Sequence, residues 1–384
     1  MSPVVILLSA AFTGLTSVSL GLITLKSLRL QLRRGETLPL AFVLGSAFLS
    51  TIIFFFLTFS IVKPWTLGAV SVIAIAVCIH RRAWRLAINE EPHVPIPSMW
   101  RWVFGLALFV YGGYTFIYAL APETSPDGVA YHLGTVDRYF RAGGFQWYTG
   151  NMYANLPMGV ELLFLHAYSF GRHSAAALVH WQFLMVLPLA VLAIGRRFGN
   201  ATAAVIAALL VFLSPVVLID GSCAYVDVAA SCVITGLFLS LVIWEQEQQQ
   251  NWFYVIGIVA GFAYCCKLTS APAVLLALLY VGITLWRRGQ FTLRPLLLVG
   301  TCAFVLIAPW LVKNTLIAGN PVSPFLNRWF PNPNVRISFE EKYREDYRTI
   351  YGAFKNWTQI PLEATVIASG VKCSCRSRVP TAST

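Results

Sequence analysis

LPLAFVLGSAFLSTIIFFFLTFSI, residues 38–61, runs for 24 residues without one charged side chain. At ~1.5 Å of rise per residue, a helix of that length crosses the ~30 Å hydrocarbon core of a bilayer. Similar apolar runs lie near 4–25, 65–80, 101–121, 174–195, 201–219, 224–244, 252–266, 270–286 and 294–316, giving about ten candidate spans. The runs 65–80 and 252–266 are short against the ~20 residues a span needs. Across all 384 residues, 57% are hydrophobic and 11% are charged. Soluble domains carry ~25% charge, so disorder, a coiled coil and an ordinary water-soluble enzyme are excluded. The expected fold class is an all-α polytopic membrane protein.

The net charge of +12 is a topological signal and not a nucleic-acid footprint. Lys26, Arg29, Arg33 and Arg34 fall in one loop, and Arg81, Arg82, Arg85 and Arg101 in another. Arg196 with Arg197, and Arg287 and Arg288 with Arg294, continue the same set of alternate loops. The positive-inside rule puts these loops in the cytoplasm and the N-terminus outside. That ordering requires the segment 156–171, within NLPMGVELLFLHAYSFG, to be an outer-face juxtamembrane helix that does not cross. The basic residues follow the first apolar run, so it does not read as a secretory signal. The eight cysteines show neither a disulfide framework nor metal-type spacing.

On this topology the odd polar residues share the outer face: the loop 122–173, the 220–227 turn, the turn at Lys267 and the stretch after 316. The most informative stretch is PETSPDGVAYHLGTVDRYFRAGGFQWYTGNMYANLP, residues 122–157. Val129, Leu133, Val136 and Phe140 repeat at helical spacing, opposite Asp137, Arg138 and Arg141. This pattern predicts an interface-lying helix ended by Gly143-Gly144. Asp127 stands at its start, as an N-cap, a reacting carboxylate or both. Asp227, in GSCAYVDVAAS, sits at the entry of an apolar helix, where a carboxylate marks a site or a paired charge. Asp220 is an alternative for that position. Lys267, in GFAYCCKLTSAP, is either a snorkelling interface lysine or a cation for an anionic headgroup. Lys313 and Asn314, in APWLVKNTLIAGNPVSP, form a second polar cluster, with Lys313 also readable as an interface anchor. His132 reads as a packed or capping residue before a metal ligand, and His166 and His180 lack zinc-site spacing. No P-loop, dinucleotide fingerprint or G-x-S-x-G occurs.

In these residues the chain resembles the multi-spanning GT-C glycosyltransferases, in the branch of aminoarabinose and protein mannosyl transferases. PDGVAYHLGTVDRYFRAGGF, NLPMGVELLFLHAYSFG, GRRFGNATAAVIAALLVFLSP, AYVDVA, GFAYCCKLTSAP and PWLVKNTLIAGNPVSPF follow in the family's order, over roughly 100–365. The resemblance implies a GT-C-like bundle that transfers a sugar from a polyprenyl-phosphate donor to a glycan, lipid or protein acceptor. Transfer is expected on the non-cytoplasmic face, with inversion, in a bacterial inner membrane. It implies Asp127 as base or acceptor-orienting residue and Asp227 as the second acidic position. Lys267, Tyr131, His132, Lys313 and Asn314 form the expected substrate-binding set. Some relatives need a divalent metal and others do not, so a metal stays open.

The expected organisation is three parts: extra spans and a cytoplasmic linker at 1–100, a catalytic core at 101–316, and an outer-face segment at 317–384. Within the last, NPNVRISFEEKYREDYR at 332–348 reads as a solvated outer loop or short helix carrying Glu340, Glu341 and Arg344. The terminal VKCSCRSRVPTAST reads like a frame-shifted or truncated end. Two other functions compete: a flippase of lipid-linked saccharide, for which no internal repeat is visible, and an inactive remnant of a transferase. The topology is directly testable. With the native cysteines removed, Thr124→Cys is expected to react with an impermeant maleimide from outside intact cells and Arg34→Cys only after lysis. The reverse pattern inverts the orientation.

Overall fold

The computed structural model describes residues 2–86, 95–147 and 152–331, with Glu341 and Glu345. The terminal 371–384 stretch and the charged positions Glu340 and Arg344 lie outside the described residues. Twelve α-helices are described: α1 Pro3–Ser27, α2 Thr37–Thr58, α3 Pro64–His80, α4 Ser98–Leu120, α5 Leu133–Ala142, α6 Gly159–Arg197, α7 Ala201–Phe212, α8 Pro215–Ser222, α9 Asp227–Glu247, α10 Trp252–Cys266, α11 Pro272–Arg287 and α12 Leu293–Ala318. No strand occurs among the described residues. Proline at the first helical turn starts α1, α3, α8 and α11, where its missing N–H costs nothing. Left-handed Gly143 and Gly319 stop α5 and α12.

Seven helical stretches have the length and hydropathy to cross a membrane, and α7 with α8, bent by 60°, makes an eighth. The two short runs are helices α3 and α10. Each expected apolar run is therefore a helix of the bundle. The long α6 runs through its centre, against α1, α2, α7 and α9. By contrast, α4 and α12 lie at the periphery. They expose Trp102, Phe109, Phe304 and Leu316, as lipid-facing helices do.

The basic loops meet at one end. Lys26 Nζ donates to the carbonyls of Arg81 and Arg82 at 2.7 and 3.0 Å. Arg197 clasps Glu36 through Nε and Nη2 at 2.5 and 2.9 Å, and reaches Glu247 through Nη1 at 2.7 Å. Asn251 Nδ2 donates to the Leu28 carbonyl at 2.9 Å. The loops poor in Lys and Arg meet at the opposite end, called the site end below.

The segment 156–171 is the main refinement. Gly159–Gly171 is helical and set apart from the following span by a break at Arg172 (φ 62°, ψ −157°). It does not lie on the surface: Gly159 through Ala167 are buried without exception. Ser50 of α2 donates to the Gly159 carbonyl at 2.8 Å. His166 sits between Thr13 of α1 and Ser71 of α3, with 2.8 Å to each hydroxyl. The segment is thus an embedded floor under the site end.

Helices α1 and α2 touch backbone to backbone. A Cβ on Gly45 would fall 1.6 Å from the Ser17 carbonyl oxygen, and one on Gly21 would fall 1.8 Å from that of Ala41. Small residues that let helix backbones approach are a common device in membranes. Gly45→Leu is expected to destabilise the protein by about 3 kcal/mol or more, read as a lower midpoint of detergent-solubilised unfolding. Gly105→Leu, with nothing within 4 Å of its new Cβ, should leave that midpoint unchanged.

Candidate functional site

The site end is assembled by tying loop 122–157 onto the bundle. Glu123 accepts the Ser125 amide and hydroxyl, at 2.8 and 2.5 Å, and the Ala224 amide at 2.5 Å. This carboxylate joins the loop to the turn before α9. At the other end of α5, the Val62 amide donates to Gly143 and the Phe145 amide to Leu57, at 3.0 and 3.2 Å. The expected amphipathic helix exists in two parts, a π-helical turn at Gly128–His132 followed by α5. Leu133 and Val136 are buried, and Asp137 is held by Tyr168 and Arg141 at 2.7 and 2.8 Å.

Asp127 occupies the N-cap position of the π turn, but its side chain caps nothing. Its carboxylate is exposed and makes no hydrogen bond among the described residues. The wider π turn carries Tyr131 and His132 side by side, their rings 4.1 Å apart. Such turns recur at functional sites. His132 is buried and its Nδ1 lies 2.7 Å from Glu161 Oε1 on the floor helix. The other oxygen, Glu161 Oε2, is buried without a hydrogen-bond partner among the described residues. Tyr131 stacks on Tyr153 at 4.8 Å. Its phenol is pushed above the ordinary tyrosine range, first by burial, then by the charges of Asp127, Glu161 and Asp227 together with Tyr153. Three carboxylates from three different elements therefore act on one ring, which stays protonated at neutral pH.

Asp227 is the first residue of α9, and its exposed carboxylate forms an ion pair with Lys267 in the turn after α10. The helix start favours the carboxylate, and the exposed pair taken together carries no net charge. Asp220 is not equivalent to Asp227. Its Oδ2 accepts the Val228 amide at 2.8 Å, which caps α9, and lies 3.6 Å from His180 Nε2. His132, Glu161, Tyr131, Tyr153 and Lys267 line a cavity of about 50 Å³. That volume admits a few waters and is too small for a sugar ring.

Lys313 and Asn314 lie on the other side of a thin wall. Asn314 Nδ2 donates to the Asn155 carbonyl at 2.7 Å, and Lys313 Nζ donates to Ala154 at 3.3 Å. The turn 153–156 thus carries Tyr153 and Leu156 towards the cavity and its carbonyls towards α12. Of the expected site residues, Asp127, Tyr131, His132, Asp227 and Lys267 form one group and Lys313 and Asn314 a second, adjoining one. Among the described residues, no group of three or more His, Cys, Asp or Glu side chains could hold a metal ion.

Sequence reasoning assigned no role to Glu161, Tyr153 or Glu123. The signal for Glu161 was present, as a lone carboxylate in the run VELLFL. Breaking the buried pair should be costly, because His132→Leu strands the Glu161 carboxylate. We expect a loss of about 3–5 kcal/mol for the single change and a much smaller loss for His132→Leu with Glu161→Leu, both read by denaturant unfolding in detergent. Equal losses for the single and double variants would show that the pair carries no coupling.

Residues 157–312 match the family model described as dolichyl-phosphate-mannose-protein mannosyltransferase, within the GT-C superfamily. The match takes in Glu161, Asp227 and Lys267, and leaves Asp127, Tyr131, His132 and Lys313 outside. It supports a GT-C membrane glycosyltransferase that uses a lipid-linked donor. No curated protein and no solved structure matches the chain.

Proposed function

We propose that the chain transfers a sugar from a polyprenyl-phosphate donor to an acceptor hydroxyl at the site end, facing away from the cytoplasm, with inversion. The observation that carries the reading is that the charges of Asp127, Glu161 and Asp227 all act on Tyr131, which lines one cavity together with Glu161 and with Lys267, the partner of Asp227. A bacterial inner membrane is the proposed location, and a glycan, lipid or protein the proposed acceptor.

In this reaction the acceptor oxygen forms a bond to the anomeric carbon. The bond from that carbon to the phosphate oxygen breaks, and its electron pair leaves with the lipid phosphate. The acceptor proton passes to a base, for which Asp127 is well suited: it is exposed, unspent on capping and next to Tyr131. Lipid phosphate is already a fair leaving group, so cationic stabilisation matters more than an acid. The Asp227–Lys267 pair offers one acceptor and one donor group to the sugar hydroxyls. The cavity below is too small for the ring, so the sugar lies across its mouth, over Tyr131. Tyr131 and Tyr153, packed against each other at a 30° tilt, supply aromatic surface of the kind that sugar rings pack on. Nothing in this scheme requires ATP, in keeping with the lack of a phosphate-binding loop.

The test is transfer from a panel of polyprenyl-phosphate sugars in membranes carrying the chain. Wild type is expected to transfer at least one sugar, and Asp127→Asn to lose about 100-fold or more in rate with unchanged unfolding behaviour. Full activity of Asp127→Asn would remove the base, and no transfer from any donor would remove the function.

A further inference from the structure

The C-terminal ends of α1 and α3 meet at the basic end of the bundle, opposite the site end. Both helices finish in the same turn. In α1 the Leu30 amide donates to the Leu25 carbonyl at 3.3 Å and the Arg29 amide to that of Lys26 at 3.0 Å. In α3 the Ala83 amide donates to Cys78 and the Arg82 amide to Ile79, each at 2.9 Å. Such a turn holds one residue in the left-handed region, where glycine is usual. Here that residue is Arg29 in one turn and Arg82 in the other, at φ 53° and 47°. Lys26 Nζ bridges the two ends by donating to the carbonyls of Arg81 and Arg82.

Between the two turns lies a pocket of about 440 Å³, lined by Ile23, Lys26, Ser27, Arg29, Arg81 and Ala83. Its charged lining is entirely cationic. Lys26 gives its hydrogen bonds to neutral carbonyls, which do not cancel its charge. No carboxylate among the described residues pairs with Lys26, Arg29 or Arg81. The carboxylates of this end are engaged elsewhere: Glu36 and Glu247 hold Arg197, and Glu245 accepts the Tyr280 hydroxyl. Three like charges around one pocket repel one another, and an anion seated among them turns that repulsion into attraction. The level of the pocket in the bilayer is also marked. Trp84, 51% exposed, follows Ala83 directly, and Ile79, 57% exposed, lies in the last turn of α3. A tryptophan beside lipid-facing apolar surface belongs at the membrane–water interface. Ile23, one turn inside the end of α1, and the buried Ala83 give the pocket an apolar wall.

We propose that this pocket binds the headgroup of an anionic glycerophospholipid of the cytoplasmic leaflet, with the phosphodiester against Arg29 and Arg81 and the glycerol backbone against Ile23 and Ala83. Basic pockets between helices on the cytoplasmic side are suited to such headgroups. A soluble phosphate meets the same cations but makes no use of the apolar wall or of the position beside Trp84, so the lipid is the better fit. Once bound, the lipid joins the ends of α1 and α3 as a second tie beside Lys26. The site is independent of the transferase reading, whose donor and acceptor belong to the opposite end of the bundle.

The experiment uses the full chain in nanodiscs of phosphatidylcholine with a small fraction of phosphatidylglycerol bearing a diazirine on its headgroup, with adducts mapped by mass spectrometry. Labelling is expected on residues 23–29 and 79–85. Unlabelled phosphatidylglycerol should compete, and phosphatidylethanolamine and inorganic phosphate should not. Arg29→Gln with Arg81→Gln should weaken labelling at least tenfold and keep the unfolding midpoint in detergent. Arg287→Gln with Arg294→Gln removes as much charge from exposed positions of another basic loop, and should weaken labelling less than twofold. Equal losses in the two double variants would reduce the site to the diffuse attraction of basic loops and overturn the proposal. Displacement by inorganic phosphate would make the ligand a soluble anion, and equal competition by phosphatidylethanolamine would make the anionic charge irrelevant; either result overturns it. So would an unlabelled pocket, and its becoming labelled in Glu90→Gln with Glu91→Gln would identify the chain's own linker as the occupant. Sugar transfer enters none of these readouts, so failure here leaves the transferase reading standing, and a failed transfer assay leaves this site standing.

Discussion

A charge held in the apolar part of a membrane costs several kcal/mol unless a partner meets it, and this constraint arranges the bundle. At the basic end, Arg197 enters the interior only because Glu36 and Glu247 accept its guanidinium. At the site end, Glu161 is buried against His132, and Asp227 and Lys267 neutralise each other at the surface. Each pair joins elements far apart in the chain, so neutralising the charges also cross-links the helices. Lys313 departs from the pattern: it is buried without a carboxylate partner among the described residues, its amine donating to the Ala154 carbonyl.

The same pairs organise the site. His132 can meet Glu161 only if the π turn lies over the floor helix, and that turn brings Tyr131 against Tyr153. Glu123 draws the start of the loop onto the turn before α9, which leaves Asp127 uncommitted at the surface. The floor helix is anchored by Ser50 at one end and by Thr13 and Ser71 near the other. A buried helix can lie there because its own backbone bonds satisfy its peptide groups.

Much of the architecture was legible in the sequence, for a plain reason. Hydropathy reports the solvent of each helix directly, so the run 38–61 and its counterparts appear as helices. The alternation of Arg and Lys clusters sorted the loops into two sets, and Lys26, Arg81 and Arg196 do gather at one end. Asp227 and Lys267 were each conspicuous as charges at the edges of apolar runs. Their mutual pairing was not, because residues 40 apart carry no mark of meeting. The buried state of 159–167 was missed for a related reason. A short apolar helix with one carboxylate reads the same on a surface as in a core. The wall between the acidic group and Lys313 is a matter of tertiary packing, with no sequence signal.

The central claim is that sugar transfer takes place at the end of the bundle away from the basic loops. Proteoliposomes with the chain in one known orientation test it directly, using a polyprenyl-phosphate sugar in both leaflets and a membrane-impermeant acceptor on one side at a time. The account predicts product only when the acceptor faces the end bearing Asp127. Product only from the side of Lys26 and Arg197 would contradict it.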